Sequence, residues 1–117
     1  MKLNHVVPLL WTTDLDRSVT FYHDLLGFEC LNRMPNWALL RKDGIEWMLS
    51  LPNAHEPFDK IHFTGSFYFH PDDVDDAWRQ LKDKAEVVYP IENFDYGMRE
   101  FAIRDNNGYI LQFGQQI

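Results

Sequence analysis

The chain has 117 residues, a length typical of one compact domain, and its hydrophobic fraction of 45% excludes an intrinsically disordered protein. Eighteen acidic against eleven basic residues give a net charge of -7, which disfavours binding to nucleic acid or anionic membranes and favours cationic partners. The single cysteine, Cys30, excludes an intrachain disulfide, and the short apolar run near the N-terminus predicts neither a signal peptide nor a membrane helix, so we expect a cytoplasmic protein.

The first half of the chain predicts a strand, a helix and three further strands. Residues 6–11 (VVPLLW) form a strand-like run, and Asp14 then caps a helix that ends at Gly27. Apolar residues recur along this helix at helical spacing, at Leu15, Val19, Tyr22 and Leu26. Three extended segments follow, FECLNR, NWALLRK and IEWMLSL, with the turn KDG between the last two.

The second half repeats this order. After the strand-like run SFYFH, Asp73 caps a helix whose apolar residues are Val74, Trp78 and Leu81, each 59 residues after its counterpart. The extended segments AEVVY, MREFAIR and YILQFG follow, with the turn DNNG. We therefore predict an α+β fold of two tandem βαβββ modules in a single domain of residues 1–117, with modules at about 1–52 and 61–117 and a linker at 53–60.

This arrangement resembles the vicinal oxygen chelate superfamily, which includes glyoxalase I, extradiol dioxygenases and bleomycin-resistance proteins. The segment DLDRSVTFYHDLLGF is similar to the first helix of that superfamily, and REFAIRDNNGYILQF is similar to its closing hairpin. The resemblance implies curved mixed sheets that enclose a pocket.

Enzymes of the superfamily hold a divalent metal ion with residues on the first and last strand of each module. Counting from the capping aspartates and the turn glycines places these positions at Val7, Met48, Ser66 and Gln112. Three of these side chains are poor ligands and one amide cannot hold the ion alone, so we expect no metal, no cofactor and no catalytic residue there. The alternative is a metal-dependent lyase or dioxygenase that uses displaced ligands, drawn from His5, Glu46, His70 and Gln112.

The aromatic fraction of 15% is more than a core of this size needs, so we expect some rings to line a cavity or an interface. Strand alternation sends Trp47 and Phe67 to the opposite face, beneath the helices. The candidate ligand-binding residues are Trp11, Trp37, Glu46, Met48, Ser66, Tyr68, Tyr96 and Gln112. Such an aromatic face with scattered acid suits a flat, cationic organic ligand.

Within the superfamily, the chain resembles the bleomycin-resistance proteins, through VPLLWTTD at residues 7–14 and YGMREFAIRD at residues 96–105. That resemblance implies an acidic homodimer that sequesters a drug at the subunit interface without turning it over. We therefore expect a metal-independent protein that binds bleomycin or another cationic aromatic molecule and confers antibiotic resistance, with no nucleic-acid or membrane partner. A binding or regulatory module for an unrelated metabolite is a third hypothesis.

Overall fold

The structure, a computed structural model, describes residues 1–55 and 58–117. Two residues of the predicted linker, 56 and 57, lie outside the described residues. The chain divides into two compact units, Met1–Lys60 and Ile61–Ile117. Within the described residues, neither helix has the length and apolar character needed to cross a bilayer.

Each unit contains one helix and one four-stranded sheet. In the first unit the elements are β1 (Leu9–Trp11), α1 (Leu15–Leu26), β2 (Glu29–Met34), β3 (Trp37–Lys42) and β4 (Ile45–Ser50). In the second unit they are β5 (Phe67–Phe69), α2 (Val74–Leu81), β6 (Glu86–Asn93), β7 (Met98–Arg104) and β8 (Ile110–Gln116). The predicted α+β fold of two βαβββ modules is therefore confirmed.

The two sheets have the same topology. The strand order is β1-β4-β3-β2 in the first unit and β5-β8-β7-β6 in the second. In each sheet the first strand runs parallel to the last strand, and the other neighbouring pairs are antiparallel. Each sheet is therefore mixed, with the strand before the helix placed beside the strand that ends the unit.

The predicted helix caps are confirmed, and the two caps make equivalent hydrogen bonds. The Asp14 carboxylate accepts from the backbone N–H of Arg17 at 3.0 Å, and the Asp73 carboxylate accepts from that of Asp76 at 3.0 Å. Each cap satisfies a backbone donor that the first helical turn leaves free. Gly27 ends α1 with a φ of 80°, a left-handed conformation that costs glycine little.

The core of each unit lies between its helix and one face of its sheet. In the first unit, Trp47 is 2% exposed and its ring lies 5.5 Å from that of Tyr22 on α1. In the second unit, the Phe101 ring lies 5.1 Å from that of Trp78 on α2. The prediction that Trp47 points beneath the helix is therefore confirmed, and the other face of each sheet is turned away from its own helix.

One strand is longer than its sequence pattern predicts. The predicted segment AEVVY ends before Pro90, whereas β6 continues through Pro90 to Asn93. Proline has no N–H to donate to a neighbouring strand, but β6 is the edge strand of its sheet. The pairing of β6 with β7 also shifts register between Tyr89 and Glu92, around the proline.

Candidate ligand-binding site

A buried glutamate in the second unit accepts four hydrogen bonds from side chains that surround it. Glu100 is only 1% exposed. Its Oε1 accepts from the Tyr68 hydroxyl at 2.8 Å and from the Tyr96 hydroxyl at 2.6 Å. Its Oε2 accepts from the Tyr89 hydroxyl and, at 3.1 Å, from the Gln112 amide nitrogen. These five residues are called the Glu100 cluster below.

The amide of Gln112 is held by hydrogen bonds at both ends. The Ser66 hydroxyl donates to its Oε1, and its Nε2 donates to the Tyr89 hydroxyl at 2.8 Å as well as to Glu100. An amide carries its acceptor and its donors on opposite sides, so the bond from Ser66 turns the nitrogen towards the carboxylate. Ser66 thus acts on the Glu100 cluster through Gln112.

The fold brings the Glu100 cluster together from all four strands of the second sheet. Tyr68 on β5 lies directly opposite Gln112 on β8, and β7, which carries Glu100, pairs with the other side of β8. Tyr89 comes from β6, and Tyr96 from the turn between β6 and β7. Because alternate residues of a strand point to opposite faces, the cluster lies on the face of the sheet that is turned away from α2.

Tyr68 reaches the carboxylate across the backbone of Gly114. Gly114 pairs directly with Glu100 in the β7–β8 ladder. A Cβ added at Gly114 would lie 1.9 Å from the Tyr68 hydroxyl oxygen and 2.6 Å from the ring carbon that bears it. Any larger residue at position 114 would therefore displace the tyrosine from its hydrogen bond.

The Glu100 carboxylate is ionised and carries an uncompensated charge. Burial alone raises its pKa, but the hydrogen bonds from Tyr89, Tyr96, Tyr68 and Gln112 together outweigh burial and hold the pKa below the ordinary 4.5. Within the described part of the chain, no lysine or arginine pairs with this carboxylate. The face therefore has a negative charge stabilised by neutral donors.

The tyrosines of the cluster hold their protons more tightly than ordinary phenols. The hydrogen bond to Glu100, with burial second, raises the pKa of Tyr96 to about 12. Burial, followed by the bond to Glu100, raises the pKa of Tyr89 to about 12 although the bond from Gln112 lowers it. Burial and Glu100 also raise the pKa of Tyr68. All three hydroxyls are therefore donors near neutral pH.

The cluster also presents aromatic surface to solvent. Tyr68 is 38% exposed and Tyr96 is 63% exposed. The Phe94 ring stacks on that of Tyr96 at a centroid distance of 5.4 Å and meets the Tyr89 ring edge-on at 5.6 Å. A ligand that approaches this face meets ring faces and edges first, with the carboxylate beneath them.

The matching face of the first unit is apolar around Met48. Leu9 on β1 lies opposite Met48 on β4, as Tyr68 lies opposite Gln112 in the second unit. The indole nitrogen of Trp37 donates to the Met48 sulfur at 3.4 Å. Trp11, at the end of β1, has its ring 5.6 Å from that of Phe58. This face offers aromatic and thioether surface without the buried carboxylate of its counterpart.

Glu46 already has a partner. Its carboxylate accepts from the Arg41 guanidinium at 2.9 Å, which balances its charge. Glu46 also lines a shallow cavity of about 270 Å³ with His5, Val6, Val7 and Gly44. The predicted alternative ligands His5 and Glu46 therefore lie along one cavity, but they are only two, and no group of three or more metal-ligating side chains occurs in residues 1–55 and 58–117.

The four positions at which the superfamily holds a divalent metal do not fit such an ion in this chain. Val7 has no donor atom, and the Met48 sulfur is a soft ligand that already accepts from Trp37. Ser66 and Gln112 are hydrogen-bonded to each other, and the amide nitrogen of Gln112 is committed to the Glu100 cluster. A hard or borderline ion would find one amide oxygen and one hydroxyl, which are too few ligands.

The structure brings together half of the eight residues predicted to bind a ligand. Ser66, Tyr68, Tyr96 and Gln112 meet in the second unit, and Trp11, Trp37, Glu46 and Met48 lie in the first. Glu100 and Tyr89 are not among the residues predicted from the sequence. Pairing across the DNNG turn places Glu100 opposite Gly114. Glu100 therefore shares a sheet face with Gln112, and this pairing could have identified Glu100 as a site residue.

Comparison with known proteins agrees with this fold. The family description "Glyoxalase/Bleomycin resistance protein/Dioxygenase superfamily" matches residues 2–113. No curated protein matches the sequence.

Several solved structures are similar to this chain over nearly its whole length. TioX from Micromonospora sp. ML1 is 27% identical, with a TM-score of 0.78 over 97% of this chain and 99% of that one. A protein of unknown function from Agrobacterium tumefaciens strain C58 is 22% identical, with a TM-score of 0.81 over 100% and 97%. Lactoylglutathione lyase from Agrobacterium tumefaciens is 22% identical, with a TM-score of 0.74 over 96% and 92%. With the two βαβββ units and the family match over residues 2–113, these similarities show that the chain belongs to the glyoxalase/bleomycin resistance protein/dioxygenase superfamily.

Proposed function

We propose that this protein binds and sequesters a cationic aromatic small molecule, without a metal ion and without turning the ligand over. The observation that carries the proposal is the Glu100 cluster: an ionised, buried carboxylate surrounded by three tyrosines, two of which are more than a third exposed. Aromatic faces and an unpaired negative charge together favour an organic cation.

The overall charge supports the same class of ligand. The chain has a net charge of -7, and one of its negative charges lies on the Glu100 carboxylate, which no lysine or arginine in the described residues neutralises. A negative field of this kind raises the local concentration of cations and speeds their association. Phosphates and other anions are disfavoured for the same reason.

The protonation behaviour of the cluster favours binding over acid–base chemistry. Proton transfer at neutral pH is most efficient when the pKa of the catalytic group lies near 7. The pKa of Glu100 is held below 4.5, and those of Tyr89 and Tyr96 are raised to about 12. Both shifts move the groups away from neutrality, as expected for fixed hydrogen-bonding partners.

The proposal extends to the assembly and the ligand. We propose a cytoplasmic homodimer of the bleomycin-resistance type, in which the aromatic residues Trp11 and Trp37 of the first unit contribute to ligand binding. Their apolar surroundings suit the flat part of a drug such as bleomycin. Light scattering on the purified protein tests the dimer, and drug tolerance of cells that express the protein tests a role in antibiotic resistance.

The binding function is tested by titration with bleomycin, followed by tryptophan fluorescence. We expect saturable quenching at micromolar drug, and recovery of the drug with unchanged mass after release. Absence of a saturable change would contradict the proposal for this drug, and a chemically altered drug would contradict sequestration. Native mass spectrometry of the freshly purified protein would show whether an unrelated metabolite occupies the site instead.

A metal-dependent lyase or dioxygenase is the second candidate, because His5 and Glu46 line one cavity. Elemental analysis after incubation with nickel, zinc, manganese or iron tests it. One bound ion for each chain would support an enzyme with displaced ligands. A clearly sub-stoichiometric content would exclude it.

A further inference from the structure

The Glu100 carboxylate has no acceptor position left for a ligand. Tyr68 and Tyr96 both donate to Oε1, and Tyr89 and Gln112 both donate to Oε2. An ionised carboxylate offers about four lone-pair sites, two on each oxygen. Two donors on each oxygen therefore use its full capacity.

A ligand that carries N–H donors gains little from such a carboxylate. A primary ammonium or a guanidinium must leave its water shell on binding, and its donors then need acceptors in the site. Reaching Glu100 would require a tyrosine or Gln112 to give up its own hydrogen bond. A quaternary ammonium group carries the same charge but has no N–H donor, so it leaves no hydrogen bond unmade when it binds.

The tyrosine rings supply the contact that a quaternary ammonium uses. Such cations bind against the electron-rich faces of aromatic rings, where the attraction is electrostatic and needs no hydrogen bond. A phenol that donates to an anion is polarised towards the phenolate, which makes its ring face more negative. Tyr68 and Tyr96 both donate to Glu100 and are also the most exposed rings of the cluster.

We propose that the Glu100 cluster is a binding site for quaternary ammonium groups and selects them over primary ammonium and guanidinium groups of similar size. Tyr68 and Tyr96 contact the cation, and Glu100 acts through space by its charge and by polarising the rings. This inference rests on the proposed cation-binding function and specifies the chemistry of the cation.

Calorimetric titration of the wild-type protein with matched ligands tests the selectivity. Benzyltrimethylammonium and benzylammonium share an aromatic ring and one positive charge and differ in their N–H groups, and benzyl alcohol is the uncharged control. We expect benzyltrimethylammonium to bind at least about fivefold more tightly than benzylammonium, and benzyl alcohol to bind most weakly. Equal or tighter binding of benzylammonium would overturn the selectivity and leave the proposed function standing. Failure of both cations to bind would count against both.

The variant Tyr96→Phe tests the mechanism of selection. It keeps the ring but removes one donor, which leaves an acceptor position open on Oε1 of Glu100. We expect the affinity ratio of the two cations to fall by a factor of about two or more, because benzylammonium can now donate to the carboxylate. Tyr109→Phe, which removes a tyrosine hydroxyl outside the cluster, should keep the wild-type ratio. An unchanged affinity ratio in Tyr96→Phe would show that the filled acceptor positions of Glu100 do not set the preference for the quaternary cation.

A charge variant completes the test. Glu100→Gln should weaken the binding of both cations, whereas Asp83→Asn removes the same charge from an exposed position outside the cluster and should leave binding nearly unchanged. Circular dichroism of each variant establishes that it is folded. An equal loss of cation affinity in the two variants would indicate that net charge alone attracts the ligand, and would contradict a binding site at the Glu100 cluster.

Discussion

Tyr68 crosses the backbone of Gly114 so closely that a single added carbon at position 114 would lie 1.9 Å from the tyrosine hydroxyl. This contact makes the hydrogen bond from Tyr68 to Glu100 depend on a residue with no side chain. Gly114 is therefore a positioning residue of the Glu100 cluster, and the two residues should behave as a coupled pair.

The substitution Gly114→Ala is expected to destabilise the protein by about 1 to 3 kcal/mol, the usual cost of overpacking a close contact. In the background Tyr68→Leu the clash with the ring is absent, so the same substitution should cost much less. Urea unfolding of the wild type, both single variants and the double variant measures this coupling. Additive free energies would contradict the contact.

Glu100→Gln should lower the free energy of unfolding by about 3 kcal/mol. It replaces one carboxylate oxygen by an amide nitrogen, which faces hydroxyl or amide donors and leaves them without an acceptor. Urea unfolding is the measurement, and Asp83→Asn serves as the matched loss of a surface charge. Comparable stability of the two variants would mean that the four hydrogen bonds contribute little.

Acid should remove the stability that Glu100 contributes. Its pKa is held below 4.5 in the folded protein, so the folded state binds fewer protons than the unfolded chain. The contribution is complete above the unfolded pKa and is lost as the pH falls through the folded pKa. Urea unfolding between about pH 6 and about pH 3 should show a steeper loss for the wild type than for Glu100→Gln. Parallel curves would argue against an ionised carboxylate.

Titration with alkali should show the raised pKa values of the tyrosines in the Glu100 cluster. The pKa values of Tyr89 and Tyr96 are raised to about 12, so their phenolate absorbance should appear well above the ordinary value of 10.0. In Glu100→Gln, the pKa of Tyr96 should fall furthest towards 10.0, because the hydrogen bond to Glu100 is the main cause of its raised value. The pKa of Tyr89 should fall less, because burial is the main cause there. Folded-state pKa values above the unfolded ones mean that stability declines as the pH rises from about 10 towards 12. Ultraviolet titration of the wild type and of Glu100→Gln measures the phenolate absorbance and tests this expectation.

The two helix caps should be equivalent. Asp14→Ala and Asp73→Ala each remove one hydrogen bond of 3.0 Å to the first helical turn. Each should lower stability by about 1 kcal/mol. Thermal unfolding of the two variants provides the comparison, and a large difference between them would show that the caps act through contacts other than these bonds.

Local patterns predicted the fold because they depend on neighbours in the sequence. Asp14 and Asp73 precede apolar residues at helical spacing, and strand alternation placed Trp47 beneath α1. The end of β6 was predicted wrongly, because Pro90 breaks a central strand but is tolerated at a sheet edge, and edge position follows from tertiary structure.

The candidate site was harder to predict because its members come from distant segments. Tyr89 is separated from Gln112 by an entire hairpin, and only the pairing of β6, β7 and β8 brings the two together. Arg104 and Asp105 illustrate the same limit. Although they are sequence neighbours of opposite charge, Arg104 donates to the Gly108 carbonyl at 3.2 Å, and Asp105 accepts from the backbone N–H groups of Asn107, Gly108 and Tyr109.

The matching registers of the two units separate the residues that fold the chain from those that set the chemistry of the sheet face turned away from the helix. Met48 and Gln112 occupy equivalent positions in the parallel ladders of the two sheets, yet one contacts an indole and the other a carboxylate. Neither side chain takes part in the helix cap or the core beneath the helix. A protein built in this way can change the chemistry of one unit while the other keeps its own, so new ligand preferences can arise by a few substitutions on one sheet face without a new fold.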